Sequence, residues 1–220
     1  LHLNYSDDGG AGIVVSRINE CMRSRNYDSN ILVAEKTTTS EHVLCNQNFY
    51  DRFIWRQKKK ISRNLNLIFK TKNKNTHSIN FFNSNILSQI EKYKPDLINI
   101  HWIGNELISL RQISKIKIPI IWTLHDMWLY SGAEHYTYGK RFIEGYNNSN
   151  RDKGESGLDI NKWVWEKKLN DMAQKEYNRT TYMNEIREFT KTIIMNVKKE
   201  AKEQGTEKRE LGKCPKCNKG

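Results

Sequence analysis

The chain has 220 residues, a formal net charge of +12, 37% hydrophobic and 28% charged residues. That length supports one ordinary domain, or one domain and a tail, and the apolar share is enough for a core. No run of about 18 apolar residues occurs, so no membrane-spanning helix is expected. The amino terminus has no basic region ahead of an apolar stretch, so no secretory signal is expected either. Leu1 stands where an initiator Met would, which predicts a few missing starting residues.

Four cysteines are present: Cys21 and Cys45 are isolated, and Cys214 and Cys217 form a close pair at the far end. Without an export signal this is not a disulfide framework, and the cytoplasm is the expected compartment. The basic excess reads either as a partner with negative charge (nucleic acid, an anionic membrane surface, nucleotide phosphates) or as lysines solvated on every face.

In chain order, Leu1–Asn4 reads as a short buried strand, followed by the turn Asp7-Asp8-Gly9-Gly10-Ala11-Gly12. Ile13, Val14, Ile18, Cys21 and Met22 keep helical spacing, and Ile31–Ala34 is a second strand. A polar region carries residues 36–80. Ile86, Leu87, Ile90 and Tyr93 predict a helix ended by Pro95, and Leu97–Trp102 a third strand. Leu107, Ile108, Leu110 and Ile113 predict another helix, and Pro119 opens the strand Ile120–Leu124. Apolar strands alternating with helices predict an α/β fold with a Rossmann-like parallel sheet, followed by a helical tail. Ligands of such sheets sit beyond the carboxyl ends of the strands.

Three groups fall at those ends. Gly9 and Gly10 open a helix, where free amides and the helix dipole suit a phosphate; the plain alternative is a simple turn. His101 ends the third strand, and His125-Asp126 directly follow the fourth. A histidine there can donate to a pyrophosphate or a sugar hydroxyl, and an aspartate can accept from hydroxyls or act as a base; each can equally be a satisfied structural side chain. The candidate catalytic residues are thus His125 and Asp126, and the candidate binding residues Gly9, Gly10 and His101.

The stretch from Asp126 to Trp165 reads as a long loop rich in aromatic and polar residues, suited to carbohydrate or to loop packing. The basic segment 56–75, with Trp55, Ile61, Leu65, Leu67, Ile68 and Phe69 among its cations, can lie on an anionic membrane or form a solvated helix over the core.

Asp7 to Gly12, Pro95 to Ile103, and Trp122-Thr123-Leu124-His125-Asp126-Met127-Trp128 resemble glycosyltransferase family 4, in the branch that builds capsular, exopolysaccharide and colanic-acid-type glycans of bacteria. Gly132 to Thr137, Arg141 to Tyr146, Gly154 to Gly157 and Asp159 to Lys168 continue the resemblance. It implies the amino-terminal, acceptor-side half of a GT-B fold, which retains anomeric configuration and needs no metal cofactor. Its partners would be a nucleotide sugar and a glycan or lipid-linked acceptor in polysaccharide biosynthesis. Gly9 and Gly10 would approach the diphosphate of the nucleotide sugar, with His101, His125 and Asp126 near the transferred sugar. The family's nucleotide-sugar-binding domain has no room in this sequence, so little or no transferase activity is expected from this polypeptide alone. Pairing with a separate domain of that kind is an alternative.

After residue 168 the character changes. Met183, Ile186, Phe189, Ile193, Ile194 and Val197 keep helical spacing. The region from Leu169 to the Cys214-Pro215-Lys216-Cys217 turn resembles the carboxyl-terminal region of bacterial type IA topoisomerase III. The sequence therefore predicts two domains, 1–168 and 169–220, joining two unrelated pieces. Cys214 and Cys217 are half of a structural zinc site, which would need ligands from elsewhere, or two free thiols. The tail is no more basic than weak, salt-sensitive nucleic-acid contact needs; a nucleic-acid-binding fragment that uses the basic surface and the tail, with its Cys pair, is the rival function.

Overall fold

The computed structural model describes residues 1–45, 49–68 and 71–173. These belong to one compact unit, Leu1–Lys175. Five strands make one sheet: β1 His2–Ser6, β2 Ile31–Glu35, β3 Val43–Leu44, β4 Ile98–Ile100 and β5 Ile120–Trp122. Their order is β3-β2-β1-β4-β5, and every pair is parallel. This is the expected α/β, Rossmann-like arrangement. The chain order reverses between β1 and β4, where open α/β sheets carry their ligand crevice.

The period of two divides each strand between two faces. Leu3, Leu32, Ala34, Ile98 and Ile100 enter one core with Trp55 of helix α2 (Phe49–Ile68), Ile86 and Ile90 of α3 (Ile86–Tyr93), and Leu110 and Ile113 of α4 (Leu110–Lys115). Ile31, Val33 and Val43 face the other way and pack with Val15 of α1 (Gly9–Ser24). Helices thus cover both faces, as a parallel sheet requires.

On the α1 face the middle of the sheet is polar. His2 and Asn4 point there, since they pair with Ile31 and Val33, and Asn99 joins them because it pairs with His2. Asn4 is satisfied in place: its carbonyl accepts from Trp102 N at 2.9 Å and its amide donates to Ser6 O at 2.6 Å.

Several elements differ from the sequence expectation. The polar region 36–80 contains β3, which periodicity alone does not show, and α2, which includes much of the basic segment read as a helix over the core. The basic segment is helical as far as Ile68, with Trp55 and Ser62 turned inward and Arg56, Lys60 and Arg63 exposed. Helix α4 begins after Ser109, not at Leu107. The Ser109 hydroxyl accepts from Gln112 N, and the two residues close a capping box. Leu107 and Ile108 remain buried in the preceding turn. The aromatic loop also contains structure: α5 (Arg141–Glu144) and α6 (Ile160–Ala173), so Trp163 and Trp165 are helical. Asp159 opens α6 by accepting from Lys162 N at 3.0 Å. The helix runs without interruption past residue 168.

Two carboxylates, Asp7 and Glu106, organise the loops. Asp7 accepts from the amide and hydroxyl of both Thr37 and Thr38, at 2.6 to 2.9 Å. Glu106, 1% exposed, accepts from Ser62 Oγ and from the amides of Asn80, Phe81 and Phe82. No helix among the described residues is long and apolar enough to cross a membrane. Cys214, Cys217 and the whole predicted tail from Gln174 onward lie outside the described residues.

Candidate functional site

The carboxyl edge of the sheet carries the predicted residues. Gly9 and Gly10 follow β1, His101 follows β4, and His125-Asp126 follow β5. The strands are neighbours in the order β1-β4-β5, so these groups stand on one edge.

Gly9 has φ +70 and opens α1. A Cβ added at Gly9 or Gly10 would meet nothing within 4 Å, so the backbone there is open to approach. Asp8 precedes the helix without capping it, because its carboxylate accepts instead from the Ser6 hydroxyl at 2.5 Å. The first-turn amides of α1 therefore have no side-chain cap and face outward at the positive end of the helix dipole. Gly12 differs: a Cβ there would lie 2.6 Å from the carbonyl carbon of Asp7, so this glycine lets the helix pack onto the turn.

His101 is buried, and both its ring nitrogens are engaged by other imidazoles. Nε2 is 3.1 Å from His2 Nδ1, and Nδ1 is 2.9 Å from His125 Nε2. His125 is half-buried and is the member of the three nearest solvent. Burial holds the pKa of His2 down to about 4 and that of His101 down to about 3; for His101 the neighbouring imidazoles add to the effect. Burial also lowers His125, against the opposing pull of the Asp126 carboxylate. In all three the shift favours the neutral imidazole.

Asp126 turns to a different partner. Its Oδ2 is 2.5 Å from His135 Nδ1, and its Oδ1 accepts from Trp128 N at 2.9 Å. Burial alone would raise its pKa, but the bonds from His135, Trp128 and Trp102 outweigh burial and hold it below the usual carboxylate range. On the far side, His135 Nε2 is 2.8 Å from Ser78 Oγ. Carboxylate, imidazole and hydroxyl thus follow one another as in a nucleophilic triad. The surroundings do not permit that chemistry. Ser78 is 3% and His135 2% exposed, and the cavity between His101, His125, Asp126, Trp128 and His135 holds about 10 Å³, the room of one water. The triad is a lock that fixes segment 76–80 against segment 131–136. Backbone bonds Ser78 N to Ala133 O and His135 N to Thr76 O, both 2.9 Å, complete it.

A second clamp comes from α6. Lys168 is 3% exposed; its ammonium donates to the carbonyl oxygens of Trp128, Ser131 and Gly132. Burial pushes its pKa well down, opposed by Glu134 and Asp126.

The structure therefore brings His101, His125 and Asp126 around one small cavity, and puts Gly9 and Gly10 on the same edge outside that cavity's lining. Asp126 has both oxygens occupied, and His101 has both nitrogens occupied. The accessible groups are the amides of the glycine turn and His125. His2, Ser78, His135 and Lys168 belong to the site's support; His135 was expected only as part of the aromatic loop, and the other three were not expected at the site. His2 had a signal, since it shares with His101 the period-two face of a neighbouring strand. Ser78 and Lys168 had none, because only tertiary packing brings them in. Among the described residues, no group of three or more His, Cys, Asp or Glu side chains is disposed to hold a metal ion.

No family model, no curated protein and no solved structure matches this chain.

Proposed function

We propose that residues 1–168 are the acceptor-side, Rossmann-like domain of a retaining glycosyltransferase similar to family 4. Such an enzyme moves a sugar from a nucleotide sugar to a glycan or lipid-linked acceptor during bacterial polysaccharide synthesis. The observation that carries this reading is that His125 and an uncapped glycine turn stand on the same carboxyl edge of an all-parallel sheet, with the turn following the strand at its topological switch point. Gly9 and Gly10 are spaced to let phosphate oxygens reach the amides of α1, whose dipole favours negative charge. His125 contributes a hydrogen bond to a sugar hydroxyl or phosphate oxygen. Asp126 orients the loop that carries His125 and does not touch the ligand. His101 acts through His125. In this reading transfer needs no metal, because amides and imidazole take the phosphate charge.

The same reading puts the protein in the cytoplasm, peripheral to the inner membrane face. Its support there is the outer side of α2, where Arg52, Arg56, Lys60 and Arg63 are exposed alongside Phe49, Tyr50 and Phe53. Cations beside aromatic rings are the pattern of an interfacial helix.

Titration of the protein's tryptophan fluorescence tests the assignment, since Trp102 and Trp128 line the cavity beside His125. Uridine or guanosine diphosphate should produce a saturable change that survives 200 mM salt, an ionic strength chosen as roughly physiological or above. A response to single-stranded DNA that collapses with salt, with none to either nucleotide, would favour the nucleic-acid reading instead.

A further inference from the structure

Three imidazoles stand end to end across the sheet. The register explains why. His2 pairs with Asn99, and His101 lies two residues further along the same face; continuing the β4–β5 register pairs His101 with Thr123, and His125 is again two residues on. A period of two keeps all three side chains on the α1 face, so they form a diagonal. The contacts are His2 Nδ1 to His101 Nε2 at 3.1 Å and His101 Nδ1 to His125 Nε2 at 2.9 Å.

Each of these contacts must hold one hydrogen. Two bare nitrogens would repel through their lone pairs, and two N–H groups would collide. A neutral imidazole has one N–H to give. The neutral row therefore has only two arrangements. Either every ring is protonated at Nδ1, with the hydrogens directed from His2 toward His125, or every ring is protonated at Nε2, with the direction reversed. The ring dipoles add along the row in both. A negative charge at one end selects between them, and Asp126, adjacent in sequence to His125, acts on it electrostatically. It favours the arrangement whose positive, N–H end lies at His125.

We propose that His2, His101 and His125 are one tautomer-locked unit, in which His2 and His101 are positioning residues that make His125 present Nδ1–H as a fixed hydrogen-bond donor at the carboxyl edge of the sheet. The partner of that donor is an oxygen with a free lone pair, on a sugar hydroxyl or a phosphoryl group. His125 recognises it by direction and not by charge. The ligand side of this inference rests on the glycosyltransferase reading; the state of the row does not.

Long-range nitrogen–proton NMR of the imidazoles in the full, ligand-free chain at pH 7 tests the row directly. The expected spectrum shows His2, His101 and His125 all neutral with the proton on Nδ1. In His2→Phe the row is one ring and one hydrogen bond shorter, so the bias set by Asp126 is less reinforced, and His101 and His125 should shift part of the way toward mixed tautomers. In His2→Asn the side-chain amide can still donate to His101 Nε2, and the Nδ1–H form should persist. Uridine diphosphate affinity should fall about fivefold in His2→Phe, the size of one lost directed hydrogen bond, and recover in His2→Asn. An Nε2–H tautomer or an imidazolium at any of the three positions in the unsubstituted protein overturns the proposal. So does a His125 spectrum that His2→Phe leaves unchanged. If His2→Phe does not fold, the unsubstituted spectrum decides alone. A protein with the expected tautomers that binds no nucleoside diphosphate would remove the functional reading and leave the row standing.

Discussion

The ammonium of Lys168 lies 4.0 Å from the ring centroid of Trp128. From there it reaches the carbonyl oxygens that end the turn after Asp126. A single buried cation on α6 thus holds the turn from Trp128 to Gly132, and through it the loop that carries His125. Lys168→Met keeps most of the side chain's bulk but leaves those carbonyls without a donor. The variant should lose about 3 kcal/mol of stability, since several buried acceptors go unsatisfied at once. Urea unfolding checks this; an unchanged midpoint would mean the turn is held by other contacts.

The lock between Asp126, His135 and Ser78 makes a graded prediction. Asp126→Asn removes a charge-assisted bond to a buried imidazole and should cost about 2 to 3 kcal/mol. Ser78→Ala removes one neutral hydroxyl and should cost about 1 kcal/mol. Neither residue reaches the ligand, so Ser78→Ala should bind nucleoside diphosphate as the unsubstituted protein does. A Ser78→Ala variant that folds normally and fails to bind would show that the hydroxyl has a chemical role.

Stability should fall on mild acidification. His2 and His101 are held at about 4 and about 3, chiefly by burial, whereas in the unfolded chain each titrates near about 6.5. Below that value the unfolded chain binds protons that the folded protein refuses, so this contribution is full above about pH 6.5 and shrinks as pH drops. With two such groups the slope of unfolding free energy approaches about 2.7 kcal/mol per pH unit between pH 6 and 4. Asp126, with its depressed pKa, adds a further loss at lower pH, below the ordinary aspartate value, where the unfolded chain binds a proton that the folded state still refuses. Urea unfolding at pH 7, 6 and 5 measures the slope, and His2→Phe should halve it. A flat profile would show that the two imidazoles protonate in the folded protein.

The glycines of the first turn separate packing from binding. Gly12→Ala would force a Cβ to 2.6 Å from the Asp7 carbonyl carbon, and should cost about 2 kcal/mol by overpacking. Gly10→Ala meets open space. It should leave the melting temperature the same or slightly higher, as alanine is the better helix former, while narrowing the approach of phosphate to the backbone. Calorimetry of melting and of uridine diphosphate binding should find stability lost at Gly12 and affinity lost, about tenfold, at Gly10. Full affinity in Gly10→Ala would remove the glycine turn from the site.

Much of the fold was legible in the sequence because buried parallel strands are short apolar runs: Ile31–Ala34, the Ile98–Ile100 centre and Ile120–Trp122 could hardly be anything else. The strand tips followed, and with them His101, His125 and Asp126. What the sequence withheld has two physical causes. Strand β3 is two residues long, Val43–Leu44, too short for any period to register. The supporting side chains act across long stretches of chain: Ser78 meets His135 and Lys168 meets Trp128 only once the sheet is built. The roles of His101 and Asp126 were hidden for the same reason. Both stand at the expected edge, yet each directs its polar atoms inward, to His2 and His125 in one case and to His135 in the other.

The most direct measurement is an amide and imidazole NMR map of the chain titrated with uridine diphosphate and guanosine diphosphate. Saturable shifts should concentrate at the Gly9 and Gly10 amides and at the His125 ring, and carry on to His101 and His2 through the row. No saturable shift with either nucleotide, or shifts confined to the exposed cations of α2, would overturn the assignment of this edge as a nucleotide-sugar site.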